Sequence, residues 1–127
     1  MNFHTNKNGL TVLSDTYSAN TDGVLRAIQH LGKFKGKRIF VGLPLRELGD
    51  KAHVAHEEIF MALKAINAEV FWCRTDFSKS GEKILNKNFH ILKKDFLVLE
   101  KTIKSTGKND AILLESKIPK SIEKMCQ

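Results

Sequence analysis

Residues 10–42, LTVLSDTYSANTDGVLRAIQHLGKFKGKRIFVG, hold the unit whose reading decides the fold. Leu10-Thr11-Val12-Leu13 is short, apolar and partly β-branched. It follows the turn pair Asn8-Gly9 and runs out at Asp15, the pattern of a buried strand. From Thr21 or Asp22 onward, Val24, Leu25, Ile28 and Leu31 recur at helical spacing behind a Thr/Asp cap, and Gly32 supplies the stop. Arg38-Ile39-Phe40-Val41-Gly42 is again apolar and strand-like. A strand, a polar loop, a helix and a second strand make a βαβ unit, whose two strands lie parallel because a helical crossover joins them.

Working outward, the alternation continues. A loop from Leu43 to Lys51 leads to a helix over about Ala52 to Asn67 that buries Ile59, Leu63 and Ile66, then to the strand Ala68 to Trp72. A short helix from Ser80 to Leu85, a strand near Phe89 to Leu92 and a helix from about Lys94 to Ser105 follow. The strand Ala111 to Glu115 and a last helix from Pro119 complete the chain, proline being at home in a first helical turn. The expectation is a Rossmann-like, three-layer α/β domain, with a mainly parallel six-stranded sheet and helices on both faces. Five of its strands are those just named, and Met1 to Gly9 reads as a short polar lead-in. In such sheets ligands meet the carboxyl ends of the strands, so function is expected in the loops after Leu13, Gly42 and Leu114.

A chain of 127 residues suffices for one core, so a single domain over residues 1–127 is expected. No apolar run approaches the roughly 20 residues that cross a bilayer, and the N-terminus lacks a signal-type apolar segment, which points to the cytoplasm and away from a membrane. Cys73 and Cys126 stand far apart without a CxxC pattern and read as reduced, structural thiols. The net charge of +7 raises the question of nucleic acid, but the lysines are scattered. The densest group, Lys33, Lys35, Lys37 and Arg38, falls between a helix and a strand with neither interleaved aromatics nor a reader motif. His53 and His56 stand three apart beside Glu57, without a third ligand in reach, and read as surface helix histidines rather than a metal site. Phe71 and Trp72 close a buried strand and are expected in the core.

The loop from Asp15 to Gly23 places an acid at a strand end, and hydroxyl and amide groups before a helix N-terminus, which suits hydroxyls, amides or phosphate. A purely local role is the alternative: Asp15 bonding its own turn, with Thr21 or Asp22 capping the helix. Arg46 and Glu47, after the second long strand, read either as a ligand-facing pair or as an exposed ion pair of little energetic value. Lys117, after the last strand, is by default a surface lysine.

In the Asp15 loop, Asp15, Tyr17, Ala19 and Asn20 match the DxYNANP segment that opens the C-terminal domain of Mur ligases, most closely in the branch that adds D-alanyl-D-alanine. Ser18 stands where that motif has its first Asn, and Thr21 where it has Pro. Glu47-Leu48-Gly49 resembles the family's ELG turn, His56 matches a recurrent His, and Asp110 to Lys117 is similar in shape to the last strand and loop. Folylpolyglutamate and cyanophycin synthetases are similar in this domain.

The resemblance implies a C-terminal, glutamate-ligase-type domain of an ATP-dependent amide ligase of peptidoglycan precursor synthesis, cut from or encoded apart from the N-terminal and central domains. It implies nucleotide contacts from Asp15, Tyr17 and Asn20, and an acceptor side at Arg46, Glu47 and Lys117. ATP and Mg²⁺ would be held mainly by the central ATPase domain, of the same or a partner chain, and the acceptor is an amino acid or dipeptide. This chain has no GxxxxGK[ST] phosphate loop. It is therefore expected to carry no catalytic residue and to be inactive alone. A free-standing Rossmann-like binding module without ligase activity is the other reading.

Overall fold

The computed structural model describes residues 1–15, 20–46 and 48–127. Its six strands are β1 (Asn2–Thr5), β2 (Thr11–Asp15), β3 (Arg38–Gly42), β4 (Glu69–Trp72), β5 (Phe89–Ile91) and β6 (Ala111–Glu115). Its helices are α1 (Thr21–Leu31), α2 (Ala52–Ala65), α3 (Ser78–Leu85), α4 (Leu92–Lys104) and α5 (Lys120–Met125). The sheet order is β1-β2-β6-β3-β4-β5. Among the described residues the β1–β2 pair is antiparallel, and the other four pairs are parallel.

Strand alternation sorts the core into two layers, because successive side chains leave opposite faces. Leu13, Leu113, Phe40, Val70 and Trp72 face Val24 and Ile28 of α1, Ile59 and Leu63 of α2, and Leu85 of α3. Val12, Ile112, Ile39 and Phe71 face Leu99 and Ile103 of α4 and Ile122 of α5. Both faces are thus covered, which is why β6 is buried at all five positions and reads as four apolar residues closed by Glu115. Burying an Ile or Leu contributes about 1.5–3 kcal/mol, so the stripe Val24, Ile28 and Leu31 suffices to seat α1.

The sixth strand is the stretch read as a polar lead-in. All four β1 residues are exposed, Phe3 by 74%, so no burial pattern marks it in the sequence. The turn creates it: the Asn6 side chain accepts from the N–H groups of Asn8 and Leu10, and Gly9 sits at φ +92°. The chain is thereby folded back onto β2.

Other departures lie at element ends. Helix α2 stops at Ala65 rather than Asn67, because Asn67 takes a left-handed φ of 56°. There the N–H of Asn67 bonds the carbonyl of Lys64, and that of Ala68 bonds the carbonyl of Leu63, the pair of bonds that closes a Schellman motif. Helix α3 starts two residues early, after Phe77 at φ 64°. Helix α4 begins at Leu92 because a first turn is joined to the main helix across the non-helical Asp95. Pro119 precedes α5 as its cap rather than lying inside it. In the densest basic segment, Arg38 donates to the carbonyls of Phe34 and Ile66, tying together the carboxyl ends of α1 and α2. No helix among the described residues is long and apolar enough to cross a membrane.

Candidate functional site

Strands β2, β6 and β3 are neighbours, so the three loops singled out in the sequence leave the same end of the sheet side by side. The chain passes from β2 to α1 on one face and from β6 to α5 on the other. Connections that part to opposite faces open a crevice between them, the topological switch point where open α/β sheets take their ligands.

Asp15 ends β2 and Glu115 ends β6, and the two are register partners on adjacent parallel strands. By alternation both leave the face covered by α1 and α2. Both are buried, Asp15 at 8% and Glu115 at 2% exposure. Counted as a carboxylate, Glu115 finds no donor for either oxygen among the described residues. Burial, then the charge of Asp15 and a hydrogen bond with it, push its carboxyl up to about 9. Two buried carboxyls this close do not both ionise, and the proton that stays on Glu115 is what makes the bond to Asp15 possible. The backbone fixes the same register: Ser116, at a left-handed φ of 73°, donates its N–H to the Asp15 carbonyl at 2.8 Å.

Asn20 is the N-cap of α1. Its backbone is extended, and its Oδ1 accepts the N–H of Gly23 at 2.8 Å. The capping role read for Thr21 or Asp22 belongs one residue earlier, so a ligand contact by Asn20 falls to its side-chain N–H₂. Tyr17 and Glu47 lie outside the described residues. Arg46 and Lys117 are exposed, in the loops after β3 and β6.

His56 is not the surface histidine expected from its spacing. It is fully buried on α2, where its Nε2 accepts the Leu45 N–H at 2.9 Å and its Nδ1–H donates to the Ala52 carbonyl at 2.6 Å. That pattern requires the neutral ring protonated at Nδ1. Burial agrees, lowering the His56 pKa from 6.5. The ring stacks on Phe77 with centroids 3.9 Å apart and meets the edge of Trp72 at 6.0 Å. His56 therefore clamps the loop after β3 to α2 and sets where Arg46 starts. His53 is exposed and reaches Glu57 at 3.6 Å.

Among the described residues no three His, Cys, Asp or Glu side chains gather as a metal site. Burial pushes the thiols of Cys73 and Cys126 up to about 11 and about 12, so both are poor nucleophiles. The residue missed by sequence reasoning is Glu115. Its signal was an acid closing an apolar strand, as Asp15 closes another, but the adjacency of those strands is visible only in the fold.

A three-layer α/β domain with a polar crevice at its switch point is the class that fold and site define. The family model for the Mur ligase, glutamate ligase domain matches residues 1–118, and the chain belongs to that family. Among solved structures, the chain is similar to the MurF ligase of Thermotoga maritima in complex with ADP, at a TM-score of 0.72 and 23% identity. That match covers 98% of this chain and 28% of the ligase, so the chain spans under a third of that protein's length. It also resembles a domain from a putative UDP-N-acetylmuramate:L-alanyl-gamma-D-glutamyl-meso-diaminopimelate ligase of Haemophilus ducreyi 35000HP. There the TM-score is 0.59 and the identity 19%, with 93% of this chain and 86% of that one covered.

Proposed function

We propose that this chain is the C-terminal, acceptor-side and nucleotide-closing domain of an ATP-dependent amide ligase of peptidoglycan precursor synthesis, of the branch that adds D-alanyl-D-alanine. The observation that carries the reading is the placement of Asp15 at the switch-point crevice, beside the loops of β3 and β6. The match to the family and the likeness to a ligase crystallised with ADP support it.

In this chemistry ATP phosphorylates a substrate carboxylate, and an amine then attacks the acyl phosphate, forming the amide as phosphate leaves. The demanding parts are charge neutralisation on the phosphates and positioning of the amine. The chain has no phosphate loop. ATP and Mg²⁺ are accordingly assigned to a central ATPase domain, the partner over which this domain closes. Asp15 supplies a carboxylate suited to ribose hydroxyls, with Tyr17 and the Asn20 N–H₂ as its neighbours on the nucleotide side. Arg46 and Lys117 are exposed cations suited to an acceptor's carboxylate, and Glu47 belongs to the same side.

The test has two parts. The isolated 127-residue chain forms no amide and hydrolyses no ATP. Joined to a Mur ligase central ATPase domain, it supports acceptor-dependent phosphate release that Asp15→Ala depresses with little change in folding. ATP hydrolysis by the isolated chain would refute the assignment, and an Asp15→Ala effect confined to stability would favour a free-standing binding module.

A further inference from the structure

We propose that Glu115 is a positioning residue for Asp15: as a carboxylic acid it donates its proton to the Asp15 carboxylate and fixes the orientation in which that carboxylate meets a ligand at the crevice. The ligand's identity rests on the ligase reading above. The pairing does not.

Register pairing of β2 with β6 places the two residues side by side, and the Ser116 N–H bond to the Asp15 carbonyl keeps the register from slipping. Glu115 is almost fully enclosed, and among the described residues neither oxygen has a donor if the group is ionised. An enclosed carboxylate without a donor costs several kcal/mol, and retaining the proton avoids that cost. The proton then has an acceptor in the Asp15 carboxyl, which acts on Glu115 through both charge and a hydrogen bond.

Asp22 in the first turn of α1, Arg46 after β3 and Lys117 after β6 are all exposed. His56 on α2 is held neutral by its two bonds. On the other side of β6, continuing the Val41–Leu114 register brings Gly42, which carries no side chain.

The experiment follows side-chain carboxyl carbons by ¹³C NMR in the labelled chain as pH is raised. Glu115 should titrate near 9, far above an ordinary glutamate. Glu115→Gln, which keeps a donor toward Asp15, should preserve the Asp15 carbon shift, and Glu115→Ala should move it. A non-hydrolysable ATP analogue is then titrated into each protein joined to a Mur ligase central ATPase domain. Glu115→Ala should weaken binding about three- to tenfold, the value of one hydrogen bond, and Glu115→Gln should restore it. Affinity should fall through pH 9 in the wild type and not in Glu115→Gln. If alkali unfolds the chain first, Glu115→Gln should move that unfolding to higher pH. A Glu115 titration at ordinary acidic pH, or a Gln variant indistinguishable from Ala, overturns the proposal. A Glu115 titration near 9 with Asp15 responding as expected, but an analogue affinity that neither Glu115→Ala nor pH changes, upholds the pairing and removes the nucleotide reading instead.

Discussion

Replacing His56 with Phe is the perturbation that separates a clamp from a bystander on the loop after β3. Phenylalanine keeps the flat ring, so the stack on Phe77 at 3.9 Å and most of the packing volume survive. Both hydrogen bonds go. The Leu45 N–H loses its partner in a residue only 8% exposed, at about 1–3 kcal/mol. Losing the Nδ1–H bond to Ala52 adds about 0.5–1.5 kcal/mol. The expected penalty is thus about 2–4 kcal/mol at pH 7.5, with His56→Ala costing more because the stack and the ring volume are lost as well. Urea unfolding followed by Trp72 fluorescence reads it directly, since the single Trp lies against His56. The pH dependence carries the sharper test. Burial depresses the folded pKa of His56 below 6.5, so the unfolded chain binds the extra proton first. The contribution of neutral His56 is complete above pH 6.5 and is lost as pH falls through the depressed folded value. The penalty of His56→Phe should therefore shrink as pH is lowered from 7.5 to 5. A change within about 0.5 kcal/mol at pH 7.5, the usual range for surface substitutions, refutes the clamp, as does a penalty independent of pH.

Glu115 acts in the opposite sense. Its folded pKa is raised from 4.5 to about 9, so the stability it contributes is fully present below 4.5 and lost as pH rises through 9. Glu115→Gln should be more stable than the wild type at pH 8–9 and should flatten that limb, as thermal melts across pH would record. Asn20→Ala removes the N-cap bond to Gly23 and should cost about 1 kcal/mol, with Asn20→Ser restoring most of it; equal midpoints for all three chains in urea would remove the cap.

The layered sheet was readable because the strands β2, β3, β4 and β6 are short, apolar and set between helices with clear stripes. That information is local, carried by period and punctuation. Strand β1 was missed because it is an exposed edge whose partner and turn define it, so Asn2 to Thr5 carry no burial pattern. His56 was misjudged for a related reason. Spacing on a helix does not tell which face is covered, and the Leu45 N–H that makes a buried imidazole tolerable comes from a loop eleven residues away. Asp15 could be singled out from its place at a strand end, whereas Glu115 acquires meaning only once β6 inserts between β2 and β3. The site is in that sense a product of sheet order, which single strands do not encode.

The central claim is that the β2–β6–β3 end of the sheet faces a nucleotide. It is tested most directly by joining the ¹⁵N-labelled chain to a Mur ligase central ATPase domain, adding a non-hydrolysable ATP analogue and mapping which backbone amides of the chain shift. The account predicts saturable shifts at Asp15, at Asn20 to Gly23 and at Ser116 and Lys117, abolished by Asp15→Ala. Shifts confined to the basic segment from Lys35 to Arg38 at the opposite end of the sheet, or an identical response in Asp15→Ala, would contradict it.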